Sequence, residues 1–307
     1  MIEPGEHEAV EVFEPHRRRL TGLAYRMLGS LTEAEDIVQE AFLRWHAVDR
    51  TAVADPRAYL SRIVARLCVD QLKSARVRRE TYVGPWLPEP VIDAAALAPD
   101  TASEYADDLS VALLLTLERL SPLERAAFLL HDVFEVDFGE VARALERSEA
   151  ACRQLAARAR AHVRQSRPRF AATDQDVARL TDAFHAAVLA GDVPGLEQLL
   201  AADAVLHSDG GGKRPAALNP IRGRDKIIRF YVGLARKRGR PMLRSVRPAR
   251  INGMPGFIII DGEGEVETLA LDIRDRQIAA LYLVSNPDKL AHGSVLHFRE
   301  PAQWAGR

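Results

Sequence analysis

The sequence predicts a multidomain chain, two all-helical modules followed by an α+β domain. Three observations carry that reading. Residues 9–79 and 121–165 place apolar side chains at helical spacing behind clear start signals. Proline-bearing interruptions at 82–99 and 166–173 divide the chain. Four β-rich runs, 243–252, 256–261, 264–273 and 277–285, come only after the last helices, the order of an α+β domain with an antiparallel sheet. A chain of 307 residues and 34.0 kDa is long enough for two or three domains. With 47% hydrophobic and 28% charged residues it can bury proper cores, which excludes a mostly disordered protein.

The elements follow in order. Val12, Phe13, Leu20, Leu23, Ala24, Met27 and Leu28 make one face of a helix over 9–29, which Gly29 closes. Thr32 with Glu35 reads as a capping box opening a helix to about His46. Asp55-Pro56 is an N-cap with proline at the first helical position, opening a helix to about Arg79. Helical spacing resumes near Ser103. Ser121-Pro122-Leu-Glu124 is a second capping box, Asp137 opens a short helix to about Leu145, and Ser148-Glu149 opens another to about Gln165. The last two, joined by Glu146-Arg147-Ser148, form a helix-turn-helix candidate. Beyond the second interruption come a helix over 174–190, a short helix, a strand at Ala204–Ser208 and a helix over about Arg224–Lys237.

Several chemistries are excluded. Cys68 and Cys152 are too few for a disulfide framework or a zinc site, and both fit a reduced, cytosolic protein. Met1–Ala9 is acidic with no apolar core, so no secretory signal is expected, and no apolar run approaches the ~18 residues of a membrane span. Asp209-Gly-Gly-Gly-Lys213 lacks the frame of a phosphate-binding P-loop and reads as a tight turn. The histidines are scattered, so no metal site, cofactor or catalytic residue is expected. His207, Asp209, Tyr231 and Asp272 either line a pocket of the last domain or are surface polar residues of its sheet.

Net charge is −1, so any nucleic-acid site must come from local clustering. Of 42 basic residues only five are lysine; arginine is the better phosphate and base reader. Arg62, Arg66, Lys73, Arg76, Arg78 and Arg79 face one acid, Asp70, with Trp45, Tyr59 and Tyr82 nearby. Cations that hold phosphates beside rings that stack bases suit unpaired strands, though an arginine-rich helix end with snorkelling side chains fits the segment equally. From Ser148 to Phe170, six arginines face Glu149. Cys152, Leu155, Ala156, Ala159 and Val163 form the seam, leaving Arg153, Gln154 and Arg158 outward to pair with guanine or adenine in a major groove. Asp36, Gln39, Glu40 and Leu43 share another helix face, at i, i+3, i+4 and i+7, which by spacing alone is an ordinary solvated face. Trp86, in an extended proline-fixed stretch, is expected to dock, since a free tether has no use for tryptophan.

These residues carry a resemblance. Thr32-Glu-Ala-Glu-Asp-Ile-Val-Gln-Glu-Ala-Phe-Leu-Arg-Trp45 resembles the core-polymerase-binding helix of extracytoplasmic-function (ECF) sigma factors, in the sigma-70 family. Residues 55–66 look like their −10 helix, and Leu120–Leu130 with Glu140–Ala151 is similar to their −35 domain. Trp86-Leu-Pro-Glu-Pro90, Asp209-Gly-Gly-Gly-Lys213 and Asn286-Pro-Asp-Lys-Leu290 match the subgroup with a fused SnoaL-like domain, a cystatin/NTF2-like cone related to polyketide cyclases; Lys213 stands where arginine is commoner. The resemblance covers about Val10 to Leu290.

The resemblance implies a domain map: 1–80 for core polymerase and −10 binding, 81–104 as linker, 105–167 for −35 binding, 173–290 as the SnoaL-like regulatory domain and 291–307 as a tail. Asp36, Gln39, Glu40 and Leu43 would hold the β′ clamp helices, with the β flap as a further polymerase contact. Trp45, Tyr59, Arg62, Arg66, Lys73 and Arg76 would take the melted −10 strand, and Ser148, Arg153, Gln154, Arg158, Arg160 and Arg164 the −35 duplex. Trp86, Pro88, Asp209, Gly210, Gly211, Gly212, Lys213, Asn286 and Asp288 would dock the last domain. A cytoplasmic monomer regulated in cis, without a dedicated anti-sigma factor, is expected. The alternative is a SnoaL-like domain that binds or converts a small molecule; the relationship implies a fold, not an activity.

Overall fold

The computed structural model describes residues 4–92, 109–166, 174–238 and 243–291. They fall into two compact units: residues 1–81 with 94–167, and residues 82–93 with 168–307. The resumption of helix at Ser103 and the tail beyond Ala291 lie outside the described residues.

In the first unit, α1 (Pro4–Leu28), α2 (Leu31–Ala47) and α3 (Pro56–Glu80) pack on one another. Phe13, Leu20, Leu23, Met27, Val38, Trp45, Leu60 and Val64 are buried among them. Gly29, at φ 70°, ends α1, and Ser30 then caps α2 by accepting from the Glu33 amide, so the cap sits two residues ahead of the expected Thr32. Asp55 accepts from the Ala58 amide as expected. Next come α4 (Val111–Glu118), α5 (Pro122–Phe128), a π turn (Leu129–Val133), α6 (Phe138–Leu145) and α7 (Glu149–Ser166). Both halves of the Ser121/Glu124 capping box are present, and Asp137 accepts from the Gly139 and Glu140 amides. Glu146, at φ 53°, turns the chain left-handed between α6 and α7, and the two helices pack together with Val141, Ala144 and Leu145 of the first and Cys152 and Ala156 of the second buried.

The second unit is α+β. Helices α8 (Asp174–Ala190), α9 (Val193–Leu199) and α10 (Arg224–Arg238) accompany β1 (Leu200–Asp209), β2 (Ile221–Arg222), β3 (Leu243–Ile251), β4 (Met254–Asp261), β5 (Val266–Arg274) and β6 (Gln277–Val284). The strands run in the order β2-β1-β6-β5-β4-β3; β1 and β6 are parallel and the other neighbours antiparallel. Leu206, Leu281, Leu271, Leu269 and Phe257 share one face and form a core with Phe184, Leu196 and Ile227 of the three helices. The segment 82–92, expected as linker, belongs to this unit, with Leu87, Pro88, Glu89, Pro90 and Val91 buried.

Candidate nucleic-acid interface

Helix α7 turns Ser148, Arg153, Gln154, Arg158 and Arg164 outward, while Cys152, Ala156, Ala159 and Val163 are buried. Ser148 caps the helix through the Ala151 amide. Arg153 lies 2.9 Å from Glu149 and stacks 4.9 Å over the Phe138 ring, an exposed arrangement that is cheap to exchange for a base edge. Arg158 sits 4.0 Å from Glu124. Arg160 differs from its neighbours, being half-buried and 2.7 Å from Asp132. Burial raises the Asp132 carboxyl above its usual range despite the opposing pull of Arg160. Arg160 is therefore held on the protein by its pair with Asp132.

Helix α3 presents Tyr59, Arg62, Arg66 and Lys73 at its surface. The Arg62 guanidinium lies 4.9 Å over the Tyr59 ring, and Lys73 pairs with Asp70 at 2.8 Å. Trp45 does not join them. It is 1% exposed, and its Nε1 donates to the Ala9 carbonyl at 3.0 Å. Its ring is core, packed 5.9 Å from Tyr59, so it cannot stack on a base as expected. The side chain of Arg76 lies outside the described residues. On α2, Asp36, Gln39 and Leu43 are exposed and Glu40 is half-exposed, paired with Arg44 at 2.8 Å. Leu43 is 55% exposed, an apolar contact within a polar stripe.

The three short motifs come together inside the second unit. Asp209 is fully buried at the end of β1. One of its carboxylate oxygens accepts from the Tyr82 hydroxyl at 2.6 Å and the Gly211 amide at 3.1 Å; the other accepts from the Leu87 amide at 2.8 Å and Lys289 Nζ at 2.7 Å. The Lys289 ammonium also donates to the Leu87 carbonyl and lies 4.4 Å over Trp86 and 5.0 Å over Tyr82. Asn286 donates to the Tyr82 hydroxyl at 2.8 Å, and Lys213 pairs with Asp288 at 2.6 Å. Burial, with the Asp209 hydrogen bond, pushes the Tyr82 phenol up. The glycines are demanded by contact: a Cβ on Gly210 would meet the Arg214 carbonyl oxygen at 2.2 Å, and one on Gly211, at φ 59°, would meet Asn286 at 2.3 Å. At its other end the segment exchanges two hydrogen bonds with Asn252: the Val91 amide donates to its side chain, and its own amide donates to the Val91 carbonyl.

Of the two readings of His207, Asp209, Tyr231 and Asp272, a common pocket is not assembled. His207 stacks on Tyr282 at 5.4 Å, and Asp272 pairs with Arg274 at 2.6 Å, on the face away from the Leu206–Leu281 core; Asp209 is committed to the linker. Tyr231 alone packs with the helices, against Phe184 and Phe230, and burial raises its hydroxyl. Sequence reasoning missed Lys289, although it lies within the Asn286–Leu290 motif, and Asn252, which nothing but a short turn marked.

Two helical modules, one with a cationic helix rim and one with an arginine-studded second helix of a helix-turn-helix, define the architecture of a DNA-binding factor. The profiles of Sigma-70 region 2 and Sigma-70, region 4 match residues 12–78 and 110–163. The chain belongs to the ECF sigma factors. It is 43% identical to the ECF RNA polymerase sigma factor SigJ of Mycobacterium tuberculosis (strain ATCC 25618 / H37Rv), over 97% of each chain. It is 36% identical to the probable ECF RNA polymerase sigma factor SigI of M. tuberculosis (strain CDC 1551 / Oshkosh), over 64% of this chain and 68% of that one. The crystal structure of M. tuberculosis SigJ superposes with a TM-score of 0.75 at 40% identity, covering 92% of this chain and 98% of that one. The chain thus acts with core RNA polymerase and promoter DNA in transcription initiation, which needs no bond chemistry from the factor. Among the described residues, no helix is long and apolar enough to cross a membrane.

Proposed function

We propose that this sigma factor contacts the polymerase β′ clamp helices through Asp36, Gln39, Glu40 and Leu43. The −10 strand runs along Tyr59, Arg62, Arg66 and Lys73. The −35 duplex is read by Arg153 and Gln154, with Ser148, Arg158, Arg160 and Arg164 placing the backbone. The exposed, cation-rich edges of α3 and α7 support this division of labour. The protein works in the cytoplasm, as a monomer, with its control built into the same chain rather than supplied by a dedicated anti-sigma factor.

The C-terminal unit is that control. The observation that carries this reading is the Asp209 hub, which folds part of the segment joining the two promoter-binding modules into the third domain. A linker held at Tyr82, Leu87 and Val91 has fewer residues free to span the modules, so its anchoring sets their reach on polymerase. The small-molecule alternative has less support, because His207, Asp209, Tyr231 and Asp272 do not converge on one site. Promoter-specific transcript yield with core polymerase tests the reading. Asp209→Asn and Lys289→Met are expected to change yield in the same direction; unchanged yield from both variants overturns control through the linker.

A further inference from the structure

The C-terminal unit carries a cationic stretch as dense as those of α3 and α7. Residues 222–240 hold eight arginines and lysines and one acid, Asp225, in a chain whose 42 basic and 43 acidic residues nearly balance. Within α10, Lys226 and Arg229 are exposed, and helical spacing puts Gly233, Arg236 and Lys237 on the same stripe. The stripe lies opposite the side of the helix that buries Ile227 and Ile228 and packs Tyr231 on Phe184. Lys226 and Arg229 make no ion pair among the described residues. Asp225 lies 4.0 Å from Arg224, whose Nη1 donates to the Glu197 carbonyl at 2.7 Å. The charge of the stripe is therefore not neutralised within the unit.

Gly233 is a second, independent observation. Glycine is a poor residue for a helix interior. A Cβ there would meet nothing within 4 Å, and its φ is not left-handed, so neither packing nor backbone conformation within the chain requires it. A bare backbone midway along a cationic stripe does let a partner approach the helix closely.

We propose that this face of α10 is a further DNA site, one that holds the phosphate backbone of duplex promoter DNA without reading its sequence. Lysine and arginine supply the charge that phosphates need. The Phe230 and Tyr231 rings pack on each other and on the core, so the stripe offers no platform for stacking an unpaired strand. From Lys226 to Lys237 it is about 16 Å long, enough to follow about five nucleotides of one strand. The same polypeptide carries the helix-turn-helix, which raises the effective concentration of duplex at α10, so a weak contact suffices. The inference needs only that the chain acts on promoter DNA, not the assignment of any −10 or −35 residue.

The test uses the full chain bound to core polymerase. Lys226→Gln with Arg229→Gln is expected to weaken binding of promoter and of unrelated duplex by a similar factor, about three- to tenfold at low salt, and to flatten the slope of log affinity against log salt by about one to two units. Preference among −35 sequences and affinity for core polymerase are expected to hold. Gly233→Glu is expected to weaken duplex binding without lowering the thermal midpoint, because its Cβ has room. Unchanged affinity and salt slope in both variants overturn the site. A benzophenone label on Asp225→Cys, an exposed position in a chain whose native cysteines are buried, is expected to crosslink to the promoter duplex. Adducts with polymerase subunits alone overturn the DNA assignment and make the face a protein contact.

Discussion

Replacing Asp209 by asparagine keeps the shape of the hub and removes its charge. Whichever way the amide lies, one carboxylate oxygen becomes an NH2 group facing donors. The arrangement that keeps Tyr82 and Gly211 satisfied puts that NH2 against the Leu87 amide and the Lys289 ammonium. A buried donor left without an acceptor costs about 1–3 kcal/mol. Breaking a buried ion pair from one side costs about 3–5 kcal/mol. Lys289 retains the Leu87 carbonyl and two ring faces, which discounts the second figure. The net expectation is a loss of about 3 kcal/mol from the C-terminal unit, or roughly a 1–3 M fall in its urea midpoint. The assay is urea unfolding of the full chain followed by tryptophan fluorescence, since Trp86 sits in the hub. The tryptophan emission, to which Trp45 and Trp304 contribute a constant part, is also expected to shift red in the folded variant as the 82–92 segment loosens around Trp86. An unmoved midpoint with unmoved emission refutes the account of Asp209 as the anchor.

Two further outcomes follow from the same geometry. Trp45→Phe is expected to lower stability by about 1–3 kcal/mol, because the buried indole loses its hydrogen bond to Ala9 and part of its packing, while affinity for a −10 oligonucleotide stays at the wild-type value; equilibrium unfolding and fluorescence anisotropy check the two halves. The Ser121 hydroxyl holds the Glu124 carboxyl below its usual range, so that cap stabilises the fold above the ordinary glutamate pKa of about 4.3 and fades as pH falls through the lowered one; Ser121→Ala should cost about 1 kcal/mol near neutrality and progressively less in acid, read by thermal unfolding against pH.

Much of the helical half was legible because its signals are local. Asp55, Ser121 and Asp137 announce their helices within three residues, and each cap is present. The cap of α2 was misplaced because Ser30 and Thr32 compete, and Ser30 directly follows the left-handed Gly29 that ends α1. Trp45 illustrates a conflict between two rules. Helical spacing puts it on one face with Val38 and Ala41, both buried, whereas nearness to basic residues suggests a stacking ring; the buried hydrogen bond to Ala9 decides for the core. The parallel pairing of β1 with β6 joins segments some 75 residues apart in sequence, such as Leu206 and Leu281, and no local pattern encodes it. Long range also hid the fate of the proline-rich segment. Pro85, Pro88 and Pro90 show that it is extended, but its burial depends on Asp209, Asn252 and Lys289, all more than a hundred residues away. The carbonyl acceptors of Arg19, Arg66 and Arg125 were invisible for the same reason, since they lie 77 to 115 residues away.

The central claim, that this chain directs initiation by reading a −35 element through α7, is tested most directly by transcription from a promoter library with core RNA polymerase. The full chain is expected to enrich promoters sharing a −35 and a −10 sequence. Arg153→Ala is expected to relax preference at individual −35 positions, by about 1–3 kcal/mol for the base it reads, while the −10 preference holds. Transcripts no more selective than those of core polymerase alone, or a −35 preference unaltered in Arg153→Ala, would contradict the account.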